Sequence, residues 1–117
     1  MGEQKFKYTD ERFADLQMLR YQLIGFDKLT LQQKKYVYYL SQAALAGRDI
    51  TMDQFGKYNL VIRKVLEAVY TEYNGDRQSD DYRAMGVYLK RLWFSNCIYH
   101  HDVCENFEPE FSEAWFR

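Results

Sequence analysis

Both cysteines and both histidines of the chain fall within eight residues, Cys97-x-x-His100-His101-x-x-Cys104. Thiolate and imidazole are the ligands of structural zinc, and a thiol beside an imidazole is the pairing of a nucleophilic cysteine. The spacing argues against both uses. Structural zinc sites join two ligand pairs across a longer loop so that four side chains converge tetrahedrally, whereas the adjacent His100 and His101 tend to point apart. Nucleophilic catalysis also requires an oxyanion donor and a group to orient the base, and neither is identifiable. Reduced thiols in an ordinary loop are the simpler reading. The carboxylates Asp80, Asp81, Glu105, Glu108 and Glu110 read as helix-start partners or a solvated face. No His-Glu-x-x-His helix, glycine-rich phosphate loop or nucleophile elbow is present. The expectation is therefore no catalytic residue and no metal ligand in this chain.

The elements that would hold any site read as helices. The first opens after Thr9, with Asp10 and Glu11 suited to its dipole, carries Phe13, Leu16, Leu19 and Leu23, and stops at Gly25. The second opens on Thr30-Leu31-Gln32-Gln33, a capping box; Tyr36, Val37, Leu40, Ala43 and Ala44 form its inner face, and Gly47 ends it. The third opens on Thr51-Met52-Asp53-Gln54 and presents Tyr58, Val61, Ile62, Val65, Leu66 and Val69 at helical spacing. A polar loop through Gly75 leads to a fourth helix from about Asp80, with Tyr82, Met85, Leu89, Leu92 and Trp93 on one side. Residues 95–111 have no clear period. Ser112 then caps a last turn bearing Trp115 and Phe116, which reads as a helix cut short. The expected fold class is all-α: one small helical domain of about four helices over residues 1–117, with an irregular segment at 95–111, truncated from something larger.

Composition narrows the function classes. The chain has 117 residues, 16 basic against 17 acidic, so it lacks the basic stripe of a nucleic-acid binder. No apolar run approaches the roughly 20 residues of a membrane span. Met1-Gly2-Glu3-Gln4-Lys5 lacks the apolar region of a secretory signal, which for a chain starting at its own first codon implies the cytoplasm. The 11 Tyr, 8 Phe and 2 Trp suit either half-buried seams against a partner or a small core of large side chains.

Two stretches resemble the N-terminal part of the dipeptidyl-peptidase III family. Residues 29–44, Leu-Thr-Leu-Gln-Gln-Lys-Lys-Tyr-Val-Tyr-Tyr-Leu-Ser-Gln-Ala-Ala, followed by Gly47-Arg48-Asp49, are similar to an early helix in which a Thr or Ser cap leads into a tyrosine-rich turn and Leu-Ser-x-Ala-Ala. Residues 88–96, Tyr-Leu-Lys-Arg-Leu-Trp-Phe-Ser-Asn, running into Phe107-Glu108-Pro109-Glu110-Phe111, resemble the family's Ser-Asn segment and its closing Phe-x-Pro. The His-His dipeptide looks like bacterial members. Where the family usually has a glycine just after Ser-Asn, Cys97 and Ile98 stand here, and Asp102 and Val103 replace a later aromatic.

The resemblance implies a two-lobed zinc exopeptidase that removes dipeptides from the N-termini of oligopeptides. Its zinc ligands would lie on a later His-Glu-x-x-x-His helix and a Glu-Glu-containing helix, so that this segment holds no cofactor of its own. The segment would supply a wall of the interlobe cleft, with Ser95, Asn96 and Tyr99 lining it. Its partners would be the oligopeptide and the remainder of its own chain, whose removal would expose apolar faces and favour self-association. A free-standing helical interaction module is the alternative.

Overall fold

The computed structural model describes residues 6–100, 103 and 105–117. The N-terminal pentapeptide and, from the ligand-like cluster, His101 and Cys104 lie outside the described residues, as does Asp102. The elements run β1 (Thr9–Phe13), β2 (Leu16–Leu19), a single 3-10 turn (Phe26–Lys28), α1 (Leu31–Gln54), α2 (Asn59–Glu72), α3 (Asp80–Ser95) and α4 (Glu113–Phe116). The expected all-α class is thus corrected to a mostly helical chain that also carries a two-stranded antiparallel sheet. Two compact units divide it, Met1–Leu45 and Ala46–Arg117, the boundary falling within α1. Among the described residues no helix is long and apolar enough to cross a membrane.

The first unit contains the main departure from expectation. Where a helix was expected from Thr9, β1 pairs with β2, Arg12 opposite Gln17 and Phe13 opposite Leu16. The two-residue connection Ala14-Asp15 places Ala14 at φ 49, the positive dihedral that tight hairpin turns use to match strand twist. Gln17 reinforces the ribbon, its Nε2 donating to the Asp10 carbonyl at 3.0 Å. The Arg20 amide extends the pairing to the Tyr8 carbonyl at 2.7 Å. Gly25 does not end a helix; at φ 87 it leads into the 3-10 turn. The Thr30 box forms as expected: the Thr30 amide donates to Gln33 Oε1 at 2.9 Å, and the Gln33 amide to Thr30 Oγ1 at 3.3 Å. The expected inner face of this helix is not buried, for Tyr36, Val37, Leu40, Ala43 and Ala44 are all exposed.

The second unit holds the core: Met52, Leu66, Tyr82, Met85, Leu89, Leu92 and Cys97. α1 passes through Gly47 and through the second apparent capping box, so Thr51 caps nothing and Met52 enters the core in the last turn. α2 is likewise rotated from its expected face. It buries Asn59, Arg63 and Leu66, while Tyr58, Val61, Ile62 and Val65 stay exposed. α3 meets expectation more closely. Ser79 Oγ accepts from the Tyr82 amide, Asp80 and Asp81 occupy the first turn, and Tyr82, Met85, Leu89 and Leu92 are buried at helical spacing, with Trp93 left exposed.

Tyr70, Tyr73, Tyr82 and Trp115 form a ring cluster between α2, α3 and α4. Tyr82 stacks on Tyr73 at 5.4 Å and on Tyr70 at 6.0 Å, and Trp115 meets Tyr73 edge-on at 5.3 Å. Ser112 caps α4 as expected. Trp115 is not left without a partner; Phe116 is exposed.

Candidate functional site

The site suggested by the sequence begins where α3 stops. Ser95 is its last residue, and Asn96 follows at φ 49, ψ 32, a left-handed conformation that asparagine tolerates and that closes helices. This turn lets Asn96 Nδ2 donate to the Arg48 carbonyl of α1 at 2.9 Å. Asn96 thereby borders a pocket of about 280 Å³ whose other lining residues are Arg48, Arg63, Glu67 and Trp93. Ser95 and Tyr99 are half-buried nearby in sequence but do not line it. Tyr99 forms an isolated antiparallel bridge with Asn106. The bridge is flanked by the His100 amide donating to the Glu105 carbonyl at 2.8 Å and the Phe107 amide to the Ile98 carbonyl at 2.9 Å. Residues 98–100 and 105–107 of the irregular segment are therefore held to one another.

The pocket's electrostatic centre is a residue that sequence reasoning did not single out. Arg63 is buried, its side chain only 5% exposed. Its Nη2 donates to Asp49 Oδ1 at 2.5 Å, and its Nε faces Glu67 Oε1 at 3.4 Å. The same Glu67 oxygen accepts from Trp93 Nε1 at 2.8 Å. A signal existed in the sequence, because Arg63 and Glu67 form an i, i+4 pair of opposite charge inside a segment otherwise read by its apolar residues. The lining carries two cations, Arg48 and Arg63, and one carboxylate, Glu67, and Asp49, outside the lining, pairs with Arg63.

The hydrogen bond from Arg63 holds the Asp49 carboxyl below its ordinary 3.8, against a smaller opposing effect of desolvation. The fold therefore favours the ionised form. That stabilisation is present above the unfolded value and is lost as pH falls through 3.8 to the lower folded value. Asp49→Asn is accordingly expected to flatten the fall in melting temperature over that acid range. Thermal melts giving the variant the same acid slope as the parent would contradict the pairing.

Cys97 is buried in the core, and the His100 ring lies 6.1 Å from that of Phe107. Among the described residues no three His, Cys, Asp or Glu side chains are grouped as metal ligands. Comparison with known proteins gives no matching family model and no matching curated relative.

Proposed function

We propose that this chain is the N-terminal, non-zinc-binding part of a cytoplasmic exopeptidase of the dipeptidyl-peptidase III type, and that it contributes a wall of the cleft in which an oligopeptide is held. The resemblance of residues 29–49 and 88–111 supplies the family. The observation that carries the reading in the structure is the surface of α2, where Val61, Ile62 and Val65, with Tyr58 at its N-cap, are exposed while Asn59 and Arg63 are buried. A helix that turns an apolar stripe outward presents a surface for further protein, and in this reading the remainder of the same chain covers it. Asn96 then stands at the end of α3 with a side-chain amide suited to the backbone of an extended peptide.

One observation favours the alternative, a free-standing interaction module. Trp115 closes the second unit against Tyr73 and Tyr82 from within the chain, as an independent module would require. The test is to express the longest open reading frame carrying this chain and assay dipeptide release from the N-termini of oligopeptides. Release is expected from the longer protein, lost on chelation and restored by zinc, and none from these 117 residues alone. A frame without a His-Glu-x-x-x-His helix, or a longer protein that releases no dipeptides, would leave the interaction module as the better reading.

A further inference from the structure

Asn59 and Arg63 are the buried polar residues among those described. Arg63 reaches carboxylates from two elements. Asp49, on α1, directly follows Arg48, whose carbonyl receives the Asn96 amide. Glu67, on α2, receives the indole N–H of Trp93, which lies on α3 three residues before Asn96. A guanidinium suits this place because its spread charge meets one carboxylate by a hydrogen bond from Nη2 and the other by ion pairing beside Nε, which the point charge of a lysine ammonium does not reproduce. The two routes converge on the end of α3, one through the backbone that Asn96 grips and one through the helix turn that precedes it.

We propose that Arg63 is a positioning residue: by holding Asp49 and Glu67 together it sets where the Asn96 side chain sits on the cleft wall. The inference rests on the reading of Asn96 as cleft-lining, but its geometric part is independent of any activity. Were Arg63 present only to neutralise its neighbours, its contacts would leave Asn96 unaffected.

Asparagine-selective 15N labelling of this chain, with Asn96→Ala to assign the signal, reports the Asn96 side-chain amide directly. Arg63→Lys and Asp49→Asn are expected to shift that NH2 pair and speed its exchange with solvent, while Arg83→Lys on the exposed side of α3 leaves it in place. If Arg63→Lys does not fold, Asp49→Asn decides, because Asp49 is 43% exposed and Arg63 keeps the Glu67 carboxylate beside it. An Asn96 signal unmoved in the folded variants overturns the proposal. In the longer protein, Arg63→Lys should raise KM for an oligopeptide roughly three- to ten-fold at unchanged kcat, the scale of one lost hydrogen bond. Adding Arg63→Lys to Asn96→Ala should then cost little more than Asn96→Ala alone. Fully additive effects would overturn action through Asn96. A wild-type longer protein without dipeptide release would instead overturn the proposed function, leaving the amide signal to judge Arg63.

Discussion

Replacing Leu89 with alanine is expected to cause one of the largest losses of stability available in this chain. Leu89 sits in the middle of α3, fully buried, in one cluster with Met52, Met85 and Leu92, which are equally inaccessible. Truncation removes the transfer free energy of its methyl groups and leaves a cavity that the flanking helices fill only in part, together about 2–5 kcal/mol. Small domains are stable by only about 5–15 kcal/mol in total. The core here depends on few fully buried side chains, so such a loss takes a large share. The melting temperature followed by circular dichroism should fall by roughly 10 °C or more. Val61→Ala, on the exposed side of α2, should move it by only a degree or two. A Leu89→Ala variant melting with the parent would mean that the core does not centre on α3.

The legibility of α3 explains why this prediction was within reach of sequence alone. Its cap, acidic first turn and buried face all point to one answer, and in such a case local pattern suffices. The two apparent capping boxes show where it stops sufficing. Thr30-x-x-Gln33 and Thr51-x-x-Gln54 have the same form, yet only the first caps a helix. At the second, continuing α1 puts Met52 at the centre of the second unit's core, and burial of a large side chain outweighs a cap worth about 1 kcal/mol.

The hairpin was hidden for a different reason. Phe13, Leu16 and Leu19 are spaced as on a helix, and β1 and β2, with five and four residues, are too short to display alternation. The turn at Ala14-Asp15 has no glycine or asparagine to announce it.

The candidate site was legible only as a location. Ser95-Asn96 could be marked as a helix end, and Asn96 does close α3. Which atoms it meets depends on Arg48, 48 residues away, and on the burial of Arg63. A stripe read by hydrophobicity assigns the inner face of α2 to Val61, Ile62 and Val65. The fold instead turns Arg63 inward, because Asp49 and Glu67 are there to pair with it and an unpaired buried cation would cost several kcal/mol.

Trp115 offers the second large effect. Sequence pattern suggested a helix cut short at this indole. In the structure it contacts the rings of Tyr73, Tyr82 and Phe111, and its Nε1 donates to the Tyr73 hydroxyl at 3.2 Å. The short helix that carries it is itself anchored, since Ser112 Oγ accepts from the Trp115 amide at 3.3 Å and the Ser112 amide donates to Asp81 Oδ1 at 2.6 Å. Trp115→Ala would open the ring cluster and free α4, at a cost of about 2–3 kcal/mol, below that of a fully buried tryptophan because the indole is half-buried. Trp115→Phe keeps most of the packing and loses the hydrogen bond, for a cost of about 1 kcal/mol. Melts of both variants, with Trp93 fluorescence as a local reporter on the far side of Tyr70, should therefore rank parent, Phe and Ala in that order, with the wide gap before Ala. Equal melting temperatures for all three would show that α4 does not close the second unit in solution. Trp115 would then be free to meet other protein, which is what the peptidase reading would ask of it.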